Sequence, residues 1–240
     1  MNIQSSIKLI TLSSILALSA CGSSGGSDAP VNNDLGGIWM GSALETDETT
    51  AQDSFGLISE SGKAFFLTEG DLVIGSVSTA DNNFSGPFTE YYSDGGVGSG
   101  TISGTFISRN SFSGAAFSDG SQTSVFSYSY NPAHSRNSSL TDISGTFSET
   151  EGAYTETYTI GMDGTITGSD TDGCIFGGAI TLPDTDYNMY NVRLTASNCG
   201  DANGTYNGLA ALIDNTEDNV TLAIAAEGSV YMFAGLIPRT

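Results

Sequence analysis

The clearest strand signal in the chain is the run YNVRLTA, residues 190–196. Its side chains alternate strictly, with Tyr190, Val192 and Leu194 on one face and polar residues on the other. An alternation with a period of two and one polar face is typical of an antiparallel strand that is half-buried over a core. The run therefore predicts β-structure rather than a helix.

The same alternation recurs elsewhere in the chain. Val220 and Leu222 share one face of a second run, and Phe126 and Tyr128 share one face of a third. Turn signals such as Asp163-Gly164 separate these runs at short intervals. Short alternating strands joined by tight turns predict an all-β antiparallel meander, closed as a barrel or folded as a sandwich.

Three short segments have echoes about 100 residues later in the chain, which indicates internal repetition. The pattern predicts two tandem meander barrels of about eight short strands each, at 35–131 and 142–240, with a linker at 132–141. The alternative is one continuous sandwich or barrel. The echoed pairs are Gly37-Ile38-Trp39 and Gly145-Thr146-Phe147, Gly75-Ser76-Val77-Ser78 and Gly178-Ala179-Ile180-Thr181, and Gly100-Thr101-Ile102-Ser103-Gly104 and Gly204-Thr205-Tyr206-Asn207-Gly208.

The composition excludes several classes of protein. The chain has 240 residues, only 6 of them Lys or Arg, and a formal net charge of −21. A nucleic-acid-binding protein needs a basic surface, which this chain does not supply. The hydrophobic share of 38%, with 12 Phe and 10 Tyr, is enough to build a folded core.

The N-terminal residues have the pattern of a targeting signal. An apolar run at 9–18 follows Lys8 and leads into Leu18-Ser19-Ala20-Cys21. This stretch resembles the signal peptide and lipobox of bacterial lipoproteins. The resemblance implies that residues 1–20 are removed and that Cys21 becomes an acylated N-terminus that anchors the protein to a membrane. The alternative is an ordinary secretory signal with an incidental cysteine.

The segment that follows has almost nothing to bury. Residues 21–34 are rich in Gly, Ser and Asn and predict a flexible tether with a reach of about 20 Å. In the lipoproteins that this sequence resembles, a residue other than Asp after the cysteine implies sorting to the outer membrane, and Gly22 stands there. The folded part is then expected in the periplasm or at the cell surface.

The first predicted strand opens with Gly37-Ile38-Trp39, which resembles the start of a lipocalin-type barrel. The resemblance implies that Trp39 packs across one barrel end beneath Arg136. The second lobe offers Phe147 and Arg239 at matching places, although Phe stands where the family has Trp. Two such lobes on a lipid tether also resemble surface lipoproteins related to transferrin-binding proteins.

Two cysteines remain besides the lipobox cysteine. The runs around Cys174 and Cys199 predict a hairpin that turns near residue 186, which places the two residues almost opposite each other. An exported protein favours a disulfide over metal or redox chemistry. Two free thiols are the alternative.

Few residues suggest catalysis or metal binding. The one histidine, His134, falls in the predicted linker and is interpreted as solvated, so no Ser-His-Asp triad is expected. Asp170-Thr171-Asp172-Gly173 starts like a calcium loop but lacks its glutamate, and Asp184 and Asp186 are interpreted as turn residues. No cofactor and no metal site is predicted, and the protein is expected not to be an enzyme.

The sequence therefore predicts a membrane-tethered binding protein for a small apolar ligand or a partner protein. The alternatives are a structural or adhesive lipoprotein without a pocket and, less favoured, a carboxylate-dependent hydrolase. An apolar cavity inside a lobe would favour the first, and two facing acids in unlike environments would favour the hydrolase. The aromatic residues expected in a lobe interior are Phe65, Phe66, Phe126, Tyr128 and Tyr130.

Overall fold

The computed structural model describes residues 35–68, 71–93, 95–214, 220–229 and 231–240. Within these residues the chain forms two antiparallel β-barrels in tandem, which confirms the predicted fold class. The predicted signal peptide at 1–20 and the tether at 21–34, with Cys21, lie outside the described residues.

The N-terminal barrel is a closed meander. Antiparallel pairing runs through consecutive strands, and β1 also pairs with β9, with Trp39 opposite Tyr130. The ring closes where β4 pairs with β6, with Ile74 opposite Thr89, so that the short β5 lies outside the ring. The strands are β1 Gly37–Glu45, β2 Gln52–Ile58, β3 Lys63–Thr68, β4 Asp71–Ser76, β5 Ser78–Ala80, β6 Asn83–Tyr91, β7 Val97–Ile107, β8 Ser111–Ser118 and β9 Ser121–Tyr130.

A short ordered segment joins the barrels. A 3-10 helix at Pro132–Ser135 is capped by the Asn131 side chain, which accepts a hydrogen bond from a backbone N–H of that helix. The single turn α1, Leu140–Ile143, is capped in the same way by Ser139. Among the described residues, no helix is long and apolar enough to cross a bilayer.

The C-terminal barrel repeats the meander and is nearly closed. Its first strand meets the residue that follows its last strand at one bridge, between Phe147 and Arg239. The strands are β10 Gly145–Glu151, β11 Tyr154–Ile160, β12 Thr165–Asp170, β13 Ile175–Thr181, β14 Tyr190–Ser197, β15 Gly204–Asp214, β16 Val220–Glu227 and β17 Met232–Pro238.

The echoed sequence segments fall on strands with matching places in the two barrels. They begin on β1 and β10, on β4 and β13, and on β7 and β15. Because β5 lies outside the ring, these are the first, fourth and sixth strands of each barrel. The match gives a common frame in which positions of the two barrels can be compared.

A third apolar layer lies between the barrels. The outer faces of β2, β3 and β4 pack against the outer faces of β15, β16 and β17. Leu57 on one side and Ala211 and Ala225 on the other are buried in this layer. The inner faces of β15–β17 line the interior of the C-terminal barrel. These three strands are therefore buried on both faces, and they carry nearly continuous apolar runs.

One aromatic residue lies elsewhere than predicted. Phe66 points into the N-terminal barrel with Phe126 and Tyr128, but Phe65 lies in the layer between the barrels. Neighbouring residues of a strand point to opposite faces, so both phenylalanines could not be interior. The prediction of an interior Phe65 was wrong.

Candidate functional site

The C-terminal barrel has one filled end and one open end. Phe147, Tyr190 and Ile180 are buried at the end where β10 begins. A cavity of about 530 Å³ occupies the opposite end. Its walls come from seven strands and the loops at that end, and they comprise Glu151, Tyr154, Glu156, Asp170, Asp172, Cys174, Phe176, Leu194, Ala196, Asn198, Cys199, Gly200, Ala202, Tyr206, Met232 and Phe233.

Glu156 is the unusual residue of this cavity. It lies on the inner face of β11, and only 1% of its surface is exposed. The Tyr158 hydroxyl donates a hydrogen bond to Oε2 at 3.1 Å. Oε1 is buried and has no hydrogen-bond partner among the described residues. A buried carboxylate oxygen without a donor is costly, and functional sites are where such groups are retained.

Asp170 is the cross-strand neighbour of Glu156, because the two residues are paired in the register of β11 and β12. Its environment is different. One oxygen accepts hydrogen bonds from the backbone N–H groups of Asp172 and Cys174, both at 2.9 Å. The other oxygen accepts one from the Tyr154 hydroxyl at 3.1 Å. The cavity thus holds two neighbouring carboxyl groups, of which Asp170 accepts three hydrogen bonds and Glu156 accepts one.

The pKa of Glu156 reflects this environment. Burial is the main cause that raises the pKa of Glu156 to about 7, and the negative charges of Glu149 and Asp170 raise it further. The hydroxyl groups of Tyr158 and Tyr154 act in the opposite direction. Near neutral pH the carboxyl group is therefore poised to gain or lose its proton when its surroundings change.

The N-terminal barrel has a different chemistry at the matching position. Ser54 and Thr68 are paired across β2 and β3 as Glu156 and Asp170 are across β11 and β12. The Ser54 hydroxyl bonds to the Tyr128 hydroxyl at 2.7 Å and accepts from the Thr68 hydroxyl at 2.8 Å. This neutral, satisfied network lies beside a cavity of only about 100 Å³.

The next pair of positions toward the filled end explains how each barrel accommodates its aromatic ring. In the N-terminal barrel Gly56 faces Phe66, whereas in the C-terminal barrel Tyr158 faces Gly168. A Cβ added at Gly56 would clash with the Phe66 ring. The aromatic ring thus comes from β3 in one barrel and from β11 in the other, which places the Tyr158 hydroxyl beside Glu156.

The predicted disulfide is present at the edge of this cavity. Cys174, just before β13, is bonded to Cys199, just after β14, and their Cα atoms are 4.7 Å apart. Both residues line the cavity. The bond therefore fixes two of the segments that surround the open end.

The predicted pairs at the barrel ends have different outcomes. The Arg239 guanidinium lies over the Phe147 ring, with 5.1 Å from Cζ to the ring centroid. The Trp39 indole N–H instead donates to the Leu35 carbonyl oxygen at 3.0 Å, and its ring packs against aromatic neighbours. Arg136 binds the other barrel, donating to both Asp214 carboxylate oxygens at 3.1 and 2.8 Å.

The interpretation of His134 as a solvated residue was wrong. The side chain is fully buried between the barrels, with its ring stacked on Tyr187 at 4.9 Å between centroids. Its Nδ1 lies 2.9 Å from the Tyr130 hydroxyl. Burial, followed by the charge of Arg109, lowers the pKa of His134 to about 4. The linker is thus part of the packed interface, which composition alone did not reveal.

Asp170 and Asp184 each bond to the backbone of a turn. Asp184 accepts a hydrogen bond from the backbone N–H of Asp186 at 2.9 Å, as Asp170 does from that of Asp172. The described part of the chain contains no group of three or more His, Cys, Asp or Glu side chains that could hold a metal ion.

Sequence analysis did not single out Glu156. The signal was present, because Tyr154, Glu156, Tyr158 and Ile160 alternate with threonines along one strand. A carboxylate on the aromatic face of a strand points into the core. In a chain with 27 acidic residues that signal did not stand out.

Comparison with known proteins does not identify a family for this chain. The sequence matches no protein-family model and no curated protein. The structure is similar to the crystal structure of a "putative outer membrane protein" from Bacteroides fragilis, with 11% identity over 87% of this chain and 100% of that chain. The TM-score of 0.32 is too low for this likeness to carry an argument about fold or function.

Proposed function

We propose that this protein is a lipid-anchored binding protein of the bacterial outer membrane whose C-terminal barrel holds a small ligand. The cavity of about 530 Å³ is the observation that carries the proposal. Ligand sites are typically concave, largely apolar and equipped with a few polar groups that fix orientation. Phe176, Leu194 and Phe233 supply the apolar wall, and Glu156 supplies a polar group without a full set of partners.

The N-terminal segment supports the proposed location. The resemblance of residues 1–21 to a lipoprotein signal supports acylation of Cys21, and Gly22 supports sorting to the outer membrane. Two or more acyl chains hold a protein stably at a bilayer. Residues 22–34 would let the barrels move at the membrane surface.

A dye-binding experiment tests the binding function. The full chain with Cys21→Ser is exported to the periplasm, and an uncharged naphthyl dye is titrated into the purified protein. Ala196 lines the cavity and is 9% exposed, so Ala196→Phe should fill the space and weaken dye binding at least about tenfold.

The control is Ala116→Phe, which adds the same bulk to the smaller cavity of the N-terminal barrel. This variant should bind the dye as the parent protein does. Absence of binding to the parent protein, or binding that Ala196→Phe leaves unchanged, would contradict the proposal and leave a structural or adhesive role.

A carboxylate-dependent hydrolase is the second candidate, favoured by the pair Glu156 and Asp170. Two neighbouring acids in unlike environments are the arrangement that general acid and base catalysis uses. A panel of aryl glycosides and esters tests it. Turnover that both Glu156→Gln and Asp170→Asn abolish would establish the hydrolase, and no turnover by the parent protein would exclude it for these substrates.

A further inference from the structure

The cavity of the C-terminal barrel is acidic on one side. Glu151, Glu156, Asp170 and Asp172 all line it, and among the described residues no Lys or Arg side chain does. Like charges at close range raise the potential energy of one another, and each would be stabilised by a positive charge placed between them. The electrostatic field in the cavity therefore favours a cation and opposes an anion.

The acidic side alone would be weak evidence, because the chain carries acids over its whole surface. Glu156 provides an independent observation. It is almost fully buried, it lines the cavity, and its Oε1 receives no hydrogen bond from the described residues. A ligand that donates an N–H to this oxygen would replace the hydrogen bonds to water that the oxygen loses on folding.

The apolar wall of the cavity favours a ligand that also has an apolar part. Phe176, Leu194 and Phe233 are buried residues of this wall, and the Phe176 and Phe233 rings are 6.2 Å apart between centroids. Aromatic rings of this kind bind apolar groups and also attract cations over their faces. A bare metal ion would gain nothing from this wall, and the carboxylates of the described residues do not form a metal-ligand set.

We propose that the cavity binds an organic cation, with an ammonium group beside Glu156 and an apolar body against Phe176 and Phe233. This inference rests on the proposed function, because it names the ligand class for the same cavity. It replaces the expected purely apolar ligand with one that carries a positive charge.

Binding of such a cation should be linked to pH. The groups that act on Glu156 are Glu149 on β10, Tyr154 and Tyr158 on its own strand and Asp170 on β12, and none of them is cationic. A raised pKa means that part of the population is protonated near neutral pH. Binding a cation displaces that proton, so affinity should rise as the pH rises through this range.

Three probes of similar size and different charge test the inference by calorimetry on the Cys21→Ser chain. They are 2-phenylethylammonium, 2-phenylethanol and phenylacetate, each of which keeps its charge between about pH 5.5 and about pH 8. We expect the cation to bind most tightly, by about tenfold or more over the alcohol at about pH 8, and phenylacetate to bind least.

Glu156→Gln should lower the affinity for the cation about tenfold at about pH 8, remove its pH dependence and leave the alcohol unchanged. The glutamine keeps the shape of the side chain and can accept the Tyr158 hydrogen bond, so the fold should be retained. Glu90→Gln is the matched control, since Glu90 lines the cavity of the other barrel.

The outcomes separate the two proposals. The proposal of a cationic ligand is wrong if the naphthyl dye and all three probes bind with similar affinity, or if the dye binds and no probe does. In both cases the proposed binding function stands. If neither the dye nor any probe binds, the binding function itself fails. If Glu90→Gln, rather than Glu156→Gln, weakens binding of the cation, the cation binds in the N-terminal barrel and the proposed site is wrong.

Discussion

At the scale of the residue, a single pair of positions gives the two barrels different chemistry. Ser54 and Thr68 form a neutral hydroxyl network in one, whereas Glu156 and Asp170 place two carboxyl groups in the other. A neutral pair can satisfy itself by hydrogen bonding. Glu156 and Asp170 cannot satisfy each other when both are ionised, because neither carboxylate can then donate a hydrogen bond.

Replacing Glu156 by glutamine should change how stability depends on pH. The folded-state pKa is about 7, above the ordinary value of 4.5, so the folded protein holds a proton that the unfolded chain releases. The Glu156 contribution to stability therefore falls as the pH rises from about 4.5 to about 7 and stays low above it, by up to about 3 kcal/mol. Glu156→Gln should be more stable than the parent protein at about pH 8 and lose this advantage near pH 4.5. Denaturant unfolding at several pH values measures the difference, and a constant difference would contradict the assignment.

His134 should act in the opposite direction over much of the same range. Its folded-state pKa of about 4 lies below the ordinary 6.5, so the unfolded chain binds a proton that the buried ring does not. The stability that His134 contributes falls as the pH drops from about 6.5 to about 4, by up to about 3 kcal/mol. Between these pH values the two titrations oppose each other in the parent protein.

The variant His134→Gln isolates this titration. Relative to the parent protein, it should gain stability steadily on acidification from about pH 6.5 to about pH 4. The groups around the ring are Arg109, Glu60, Tyr130 and Tyr187, so these must be unchanged in the comparison. An unfolding difference that does not depend on pH would show that His134 does not titrate as assigned.

At the scale of the element, the hairpin of β13 and β14 supports the open end of the C-terminal barrel. Its strands are bonded in register from Ile175 opposite Ser197 to Thr181 opposite Asn191. The disulfide closes the hairpin at the cavity end, where strand pairing stops. Without it, the two segments at the edge would be held by neighbouring strands alone.

Removing the disulfide should weaken this end selectively. Replacing Cys174 and Cys199 by serine opens a loop of 25 residues and should cost up to about 3 kcal/mol in the chain-entropy account. Hydrogen exchange should accelerate most between residues 174 and 199, while the N-terminal barrel exchanges as before. Uniform acceleration in both barrels, or none in the hairpin, would contradict this local role.

At the scale of the whole molecule, the barrels are joined by an apolar layer and by charged contacts around it. Lys63 and Glu227 form an ion pair of 2.7 Å, and Arg136 binds Asp214 across the same boundary. Both pairs are substantially exposed, so their contribution is small. Burial of the outer strand faces is the larger contribution.

The layer between the barrels predicts a contrast between two positions on the outside of the N-terminal barrel. Leu57 is 1% exposed because it faces the C-terminal barrel, and Val125 is 40% exposed. Leu57→Ala should cost about 2–5 kcal/mol, as deletions in a core do. Val125→Ala should stay within about 0.5 kcal/mol. Equal losses in denaturant unfolding would contradict an interface at Leu57.

The attachment of the whole molecule to the membrane should depend on Cys21 alone. Cys21→Ser removes the site of acylation that the lipobox resemblance implies, so the protein should move from the membrane to the soluble fraction. The control is Cys174→Ser, which changes a cysteine inside the barrel and should leave the protein in the membrane fraction. Immunoblots of cell fractions measure both, and a membrane-bound Cys21→Ser protein would contradict the anchor.

The strands could be predicted because their causes are local, and the two tandem lobes because short segments repeat along the sequence. The alternation at 190–196 and the turn at Asp163-Gly164 depend only on neighbouring residues. The pairing of Cys174 with Cys199 followed from one hairpin, whose strands are adjacent in sequence. The acidic character of the chain is likewise a sum over residues. These features needed no knowledge of which strands meet at a distance.

The candidate site required the tertiary structure. Whether Glu156 is an exposed acid or a buried one depends on which face of β11 turns inward, and whether it lies beside Asp170 depends on the register with β12. The burial of His134 and the outward position of Phe65 depend on the second barrel, which contacts both residues across more than 50 positions of sequence. The strands and the disulfide could be predicted from the sequence, because short-range chemistry specifies them. Only the tertiary structure decided which carboxyl group was buried without a partner, because burial is a property of residues brought together from distant parts of the chain.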